Sequence, residues 1–351
     1  MENKKKKLSI IIPVYNSQKT LQRTVNSILQ QTGLQYEVIL VDDGSNSECA
    51  ALCDALAREY KNIQVFHQDN AGSLRARLNG AEKATGQYLM YVDADDFLYE
   101  GAFAHIAEDL KAEADLYIYD YDMEEVGGLG VKTIKALEQT FTTSFSGEEK
   151  KIVSHVFMKG WINTVCATVF RRELIDAMPF SNITKKLTDG EDRLQKLFAL
   201  IRAQKINYVP YAFYHYCWYE DSQGSKLRKG VFSEQLYMQF KETWSIERSH
   251  YTDLGFNEEE CDQYDLKKLN RICATFEKSY GNKDLSHEEF QKIAAMLSQD
   301  TLFKELARES VLSRARRHLR KGAKYILHNR WQALKVYWAI CSIIRRVKYG
   351  K

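Results

Sequence analysis

The chain has 351 residues, 44% hydrophobic and 12% aromatic, enough for the core of one large domain or of two domains. Seven cysteines, an odd number without a C-x-x-C pair, read as reduced thiols and argue against a disulfide framework or a zinc knuckle, while three prolines leave no Pro-rich linker. The formal charge of +3 hides an asymmetry: Lys304 to Lys351 holds 14 Lys or Arg against Glu305 and Glu309, a net +12, and the preceding residues carry −9.

Met1-Glu2-Asn3 and four lysines lead into an apolar run that contains Pro13 and Asn16 and has no small-residue cleavage site. It reads as a first strand, Leu8 to Val14, rather than as a signal peptide. Leu21, Val25, Ile28 and Leu29 then repeat at helical spacing over Gln18 to Gln30. A second strand, Tyr36 to Val41, precedes a helix over Cys49 to Glu59. A third strand, Ile63 to Phe66, precedes a helix over Ser73 to Ala84. Tyr88 to Val92 is a fourth strand and Ala102 to Lys111 a further helix. This alternation predicts an α/β fold with a mostly parallel central sheet and helices on both faces. Leu116 to Met123 reads as another strand, Val131 to Phe145 as edge strands, and Lys159 to Phe170 as a strand over the active-site side. Gly190 to Ala199 starts a helix, Ile206 to Tyr219 is strongly aromatic, and the pattern is helical from Glu234 onward. There is no internal repeat.

Two acidic turns follow buried-strand patterns: Val41-Asp42-Asp43-Gly44-Ser45 and Val92-Asp93-Ala94-Asp95-Asp96. Carboxylates at the C-terminal ends of strands sit where open α/β sheets bind ligands. Like charges this close need a cation, and a hard divalent ion takes one or two carboxylates plus diphosphate oxygens. Asp42 and Asp43 suit hydrogen bonds to a base or ribose, and equally suit simple turn chemistry. Between the turns a helix opens near Ser73, with Arg75 and Arg77 in its first turns, able to hold an anion. Neither a G-x-G-x-x-G fingerprint nor a G-x-x-x-x-G-K-[ST] loop is present, so nothing favours NAD or a Walker-type ATPase. Asp189-Gly190-Glu191-Asp192 offers a general base for an acceptor hydroxyl, and also fits plain helix capping. His215, within Tyr211 to Tyr216, is a candidate metal or phosphate contact, with aromatic packing as the alternative. Ser222 to Lys226, then Arg228 and Lys229, form a basic loop able to close over a diphosphate, or simply a solvated one.

Together these pieces resemble the family 2 inverting glycosyltransferases with the GT-A fold, over roughly residues 7 to 230. Ser9-Ile10-Ile11-Ile12-Pro13-Val14-Tyr15-Asn16 is similar to the family's opening. Val41 to Ser45 resembles its nucleotide-binding turn, Asp93-Ala94-Asp95-Asp96 its D-x-D metal site, and Glu191-Asp192 its E-D motif. The resemblance implies a metal-dependent transferase that moves a sugar from a UDP-sugar to a hydroxyl of a glycan or lipid-linked glycan, giving a β-glycoside. It implies Pro13, Tyr15, Asp42, Asp43, Arg77, Asp93 and Ala94 around the nucleotide sugar, with Lys226 and Arg228 at the diphosphate. Asp95, with Asp93 and His215, would hold Mn²⁺ or Mg²⁺. Asp192 would be the base beside Glu191, and Trp161 and Tyr214 would meet the acceptor. Against the family's G-L-S-x-A-R-N-x-G, Gly72, Ala76, Arg77 and Gly80 fit, while Leu78 stands where Asn is usual.

The expected organisation is a GT-A catalytic domain over 1–230, with a nucleotide-sugar half 1–100 and an acceptor half 101–230. A helical region over 231–351 follows, ending in a basic amphipathic tail, 304–351. Trp and Tyr beside basic residues suit a helix lying in lipid headgroups, peripheral at the cytoplasmic membrane face; packing on the catalytic domain or on a second copy is the other reading. The acidic body argues against nucleic acid. A nucleotidyltransferase of sugar-nucleotide synthesis would open with a Gly-rich basic loop where Pro13-Val14-Tyr15-Asn16-Ser17 stands. A non-catalytic glycan-assembly scaffold would show broken carboxylate clusters, and none is broken.

Overall fold

The structure is a computed structural model that describes residues 7–126, 130–138, 140–160, 162–176, 178–179, 190–219 and 232–349, without the side chains of Gln239 and 342–349. The chain divides into two units, Met1–Ser225 and Lys226–Lys351.

The first unit is built on a ten-stranded sheet. β1 (Lys7–Val14) pairs in parallel with β2 (Gln35–Asp43) on one side and β4 (Tyr88–Tyr91) on the other; β3 (Ile63–Gln68) extends β2, also in parallel. β1 is apolar on both faces because both are covered, as a central parallel strand requires. Parallel pairing brings the ends of β1, β2 and β4 to one edge, with Val14 opposite Asp42 and Asp43 opposite Gln68. α1 (Leu21–Leu29) turns Leu21, Val25 and Ile28 to the core, and α2 (Ser47–Glu59) turns Cys49, Cys53 and Leu56 inward. α3 (Ser73–Lys83) lies close on the sheet through Gly80, where a Cβ would stand 2.5 Å from Ile11 Cγ2 and 3.0 Å from Val41 Cγ2.

β5 (Phe97–Leu98), α4 (Ala102–Asp109) and β6 (Leu116–Glu125) follow, then the edge strands β7 (Val131–Ile134) and β8 (Thr143–Ser146). The stretch expected as a strand over the active-site side behaves differently. A helix, α5 (Lys150–Lys159), precedes it, and strand geometry begins only at β9 (Thr168–Arg171). β9 enters antiparallel between β4 and β6, so its apolar residues Val169 and Phe170 lie in the middle of the sheet. α6 (Arg172–Asp176) and α7 (Glu191–Arg202) lead to β10 (Lys205–Trp218), parallel to β6 and antiparallel to β5 and β8, with register shifts between Val209 and Tyr214. The first four strands are thus parallel and the second half of the sheet is mixed.

The second unit is helical: α8 (Glu234–Ser249), α9 (Glu258–Gly281), α10 (His287–Gln299), α11 (Thr301–Leu306), α12 (Glu309–Arg314), α13 (Arg317–Leu327) and α14 (Trp331–Tyr349). Capping boxes start α9 (Asn257, Glu260) and α10 (Ser286, Glu289), and Asp300 caps α11. Its core stacks Phe276, Phe290 and Trp338 with Leu297 and Leu306. Much of the expected amphipathic tail belongs to this core: Leu306, Leu312, Ile326, Leu334 and Trp338 are buried, and Val336 and Ile340 are exposed. Among the described residues no helix is long and apolar enough to cross a membrane.

The approach of α3 to the sheet gives a test. Helix propensity favours Ala over Gly by about 1 kcal/mol, and overpacking costs about 1–3 kcal/mol. Gly80→Ala is therefore expected to lower stability in urea unfolding. An unchanged or higher midpoint would show that α3 retreats from Ile11 and Val41 without cost.

Candidate functional site

At the end of β1, Asn16 adopts a left-handed φ of 53°. Its N–H donates to Ser45 Oγ (3.0 Å), and its side-chain oxygen accepts from the Asn46 N–H (2.8 Å). These bonds tie the turn after β1 to the turn after β2. Pro13 is half-buried, and Tyr15 lies 52% exposed beside them, its ring open to solvent. Asp42 and Asp43 are both buried. Asp42 accepts from the Ser45 N–H (3.0 Å) and lies 2.7 Å from His67 Nδ1. Burial opposes its ionisation, but Ser45 and His67 outweigh it and hold the carboxyl below its ordinary range. His67 also meets Asp54, and its own pKa is raised by these two carboxylates.

Asp43 has a different task. It accepts from Gln68 Nε2 (2.7 Å) and from the N–H groups of Ala71 (2.7 Å) and Gly72 (2.8 Å). The last two lie just before α3, so Asp43 fixes where that helix begins. Gly44, at φ 72°, lets this happen: a Cβ there would sit 2.8 Å from the Asn70 nitrogen.

Arg77, in the second turn of α3, is 3% exposed. Nη2 donates to Asp93 Oδ1 at 2.9 Å and Nη1 donates to Asp192 Oδ1. Burial would lower its pKa, but Asp192 and Asp93 hold it well above the ordinary value. Its Nε has no partner among the described residues, and Tyr91 lies beneath the guanidinium at 5.9 Å. One side chain thus joins the acidic turn after β4 to the start of α7.

In that turn, Asp93 also faces the Cys166 thiol (Sγ 3.4 Å from Oδ2), and its N–H donates to Tyr214 Oη (3.1 Å). Asp96 is fully buried, accepting from Tyr214 Oη (2.5 Å) and the Cys217 N–H (2.8 Å). Burial and then Asp93 and Asp95 raise its pKa well above the carboxylate range. Asp95 is pushed up to about 6 by burial, then by Asp93. Ala94 is buried; Thr24 Oγ1 lies 3.0 Å from its carbonyl oxygen and 2.6 Å from that of Asp96. Arg23 donates to the Asp95 carbonyl and lies over the Phe97 ring.

The ligating atoms of Asp93, Asp96 and Cys166 lie within 4.8 Å of one another, the one such group among the described residues. A hard divalent ion fits only part of it. Both oxygens of Asp96 already accept, and a buried thiol is a soft ligand. Asp95 and Asp93 are partly exposed, and their carboxylate oxygens are the hard donors such an ion takes.

At the start of α7, Asp192 accepts from Arg77 and from the Val165 N–H (3.4 Å), and its side chain is 29% exposed. Glu191 Oε1 accepts from Ser73 Oγ (3.0 Å), and burial, then Asp192, raises its pKa. One turn on, Lys196 is wholly buried and lowered to about 7 by burial, with its ammonium donating to Thr168 Oγ1.

Two expectations need correction. Tyr214 is fully buried, bracing Asp93 and Asp96, and has no surface for an acceptor. His215 is 3% exposed, with Nδ1 2.6 Å from Tyr99 Oη and Nε2 2.9 Å from Glu124, its ring stacked on Phe97. Both nitrogens are engaged, leaving none for a metal. Trp161, Lys226 and Arg228 lie outside the described residues. Arg23, Cys166 and Lys196 were missed. No local motif marks them: Arg23 comes from α1, Cys166 from just before β9, and Lys196 from α7, one turn past Asp192.

The sequence profile of Glycosyl transferase family 2 matches residues 9–178. The glycosyltransferase YibD of Escherichia coli, itself uncharacterised, is 26% identical over 83% of this chain and 77% of its own length. The minor teichoic acid biosynthesis protein GgaB of Bacillus subtilis is 29% identical over 69% of this chain but only 27% of its own length. Glycosyltransferase GlyG of Streptococcus pneumoniae is 36% identical over 33% of this chain and 40% of its own. The crystal structure of S. aureus TarS 1-349 in complex with UDP-GlcNAc has a TM-score of 0.71 at 18% identity, covering 98% of this chain and 93% of that one. At that identity the likeness is one of fold.

Arg77→Ala would leave Asp93 and Asp192 facing each other without a cation. Removing one partner from a buried ionic cluster costs about 3 kcal/mol or more. Urea unfolding is expected to show a loss of that order. A loss below about 1 kcal/mol would mean that solvent already neutralises the two carboxylates.

Proposed function

Residues 9–178 are a glycosyl transferase family 2 domain, and on that premise we propose that the chain moves a sugar from a UDP-sugar to a hydroxyl of a glycan or lipid-linked glycan, with inversion to a β-glycoside. The observation that carries this reading is the Arg77 bridge, which holds a D-x-D carboxylate and the E-D carboxylate on one guanidinium. Donor-holding and proton-accepting groups thereby converge.

Tyr15 offers an open aromatic face for the base. The buried Asp42 and Asp43 keep the turns around the nucleotide in place, and Asp93 takes the ribose and sugar side. The partly exposed Asp192 takes the proton of the acceptor hydroxyl. The hydroxyl oxygen then bonds to the anomeric carbon from the face opposite the diphosphate. The anomeric carbon–oxygen bond breaks, and its electron pair leaves with UDP. Glu191, held by Ser73, lies beside the base, its own pKa raised by burial and then by Asp192. Mn²⁺ or Mg²⁺ bound by Asp95 and Asp93 would supply positive charge for the leaving diphosphate.

Release of UDP from a panel of UDP-sugars, with an acceptor glycan and divalent cation, tests the reading. Asp192→Asn is expected to lower turnover by roughly 10²- to 10⁴-fold, and Asp95→Ala to abolish its dependence on the cation. Because Asp95 must be ionised to hold the ion, cation affinity should weaken as pH falls through about 6. Without the ion, this group's contribution to stability falls as pH rises from about 4 to 6, since its proton is held more tightly in the folded chain. Full turnover in Asp192→Asn would remove the base assignment. Metal affinity unchanged between pH 7.5 and 5 would remove Asp95 from the metal.

The basic tail supports a second element of the proposal, attachment to an anionic membrane surface. Val336 and Ile340, one turn apart on α14, are exposed, and +12 of charge lies in the same segment. The chain should sediment with vesicles containing anionic phospholipid and release at high salt, and Val336→Asp/Ile340→Asp should weaken this. Equal sedimentation of wild type and variant would assign the tail to protein packing alone.

A further inference from the structure

We infer that a cleft in the helical unit binds a phosphate-bearing polyol or sugar chain. It opens between α9, α13 and α14 and encloses about 770 Å³, within the roughly 300–1,000 Å³ of small-molecule sites. Its floor is apolar, formed by the buried Leu285 and Trp338 with Leu319. Gly322 opens the indole to the cleft: even a Cβ there would stand 3.4 Å from Trp338 Nε1.

The polar lining is cationic and richer in donors than acceptors: two ammonium groups and an indole N–H only donate, and two amides donate and accept. Asn270, Lys278, Asn282 and Lys283 line the opening, and their side chains have no partner among the described residues. The Trp338 indole N–H likewise has no acceptor there. The one acidic residue, Glu277, is occupied by His318 Nε2 at 2.7 Å. Two ammonium groups, two amides and an indole N–H over an apolar floor want an anionic ligand rich in acceptors, with C–H groups to set toward that floor. A neutral glycan meets the amides and the floor but leaves both lysines without counter-charge. A lipid tail meets only the floor. A polyol or sugar carrying phosphate satisfies all three. This site goes beyond the transfer reaction and stands on the helical unit alone.

Titration calorimetry on the full chain, without donor, tests it. The probes are a short oligomer of phosphodiester-linked glycerol, a neutral glucose oligomer of equal length, and inorganic phosphate. Lys278 and Lys283 are exposed, so the variant Lys278→Glu/Lys283→Glu should fold as the wild type, which circular dichroism checks. Expected are binding of the phosphodiester oligomer, weaker by about tenfold or more in the variant and at high salt, and no comparable binding of the neutral oligomer. Trp338→Phe, which keeps the ring and removes the N–H, should weaken binding less. No binding, binding no tighter than inorganic phosphate, or equal affinity in the charge-reversed variant would overturn the inference. Failure of the oligomer together with sedimentation on anionic phospholipid vesicles that depends on these two lysines would overturn it in favour of a membrane surface.

Discussion

The buried Arg77 guanidinium is the constraint on which the candidate site depends. It ties Asp93, after β4, to Asp192, at the start of α7, across 115 positions of chain separating Arg77 from Asp192. A planar guanidinium presents a fork of fixed donors, so two carboxylates on its two terminal nitrogens are held at a set separation. A lysine, a point charge on a flexible stem, would satisfy either carboxylate without fixing the distance between them. Burial makes the bond strict: with the guanidinium 3% exposed, water is no substitute for either partner. The Nε, without a partner among the described residues, is the cost of that placement, offset in part by the Tyr91 ring.

What places Arg77 is a short causal chain through the first half of the fold. β1 and β2 run parallel and apolar, so the Asp42-Asp43 turn falls at the sheet edge. Asp43 takes the N–H groups of Ala71 and Gly72 and so determines where α3 starts. Gly80 lets the same helix lie against Ile11 and Val41, which sets its depth. Between those two anchors Arg77 has one place to go. Asp43 therefore acts on the candidate chemistry through backbone geometry, whatever it also does toward a nucleotide. On the other side, Tyr214 and the Cys217 N–H hold Asp96, and Thr24 and Arg23 take backbone carbonyls of the same turn. Asp93 and Asp95 are thus presented by a rigid loop, as a metal or diphosphate site requires.

The parts legible in the sequence are those governed by local rules. Apolar runs located β1, β2 and β4, the last two ending in acidic turns, and the spacing of Leu21, Val25 and Ile28 located α1. The Glu191-Asp192 pair at a helix start was readable for the same reason. What was not legible depended on long-range pairing. Val165 to Phe170 reads as a strand, but nothing in it says that β9 inserts antiparallel between β4 and β6, and that insertion delivers Cys166 to Asp93. His215 and Tyr214 stand in an aromatic run whose two faces look alike in sequence. Register against β5 and β6 decides that Tyr214 turns to the acidic loop and His215 to Tyr99 and Glu124. A sequence scan ranks such residues by chemistry, whereas the fold ranks them by which hydrogen bonds are already taken.

The helical unit shows the same separation between composition and structure. The tail looked like an amphipathic segment in search of a surface, yet its apolar face is largely spent inside its own unit, with Leu306, Leu312, Ile326 and Trp338 buried. The basic residues remain; α9 meets part of their charge, with Arg308 on Asp262 and Asp265 and Arg314 on Glu259, and for the rest the segment itself holds only Glu305 and Glu309. A folded core does not require that excess; self-repulsion of a cationic face opposes compactness. Retention of the remainder makes sense if its counter-charge comes from outside the chain. An anionic polymer or an anionic lipid surface both supply it, and they differ in what else they need. A surface needs exposed apolar side chains, which Val336 and Ile340 provide, whereas a polymer needs a cleft with directed donors, which α9, α13 and α14 provide. The two features use different groups, so neither has to be given up for the other to hold.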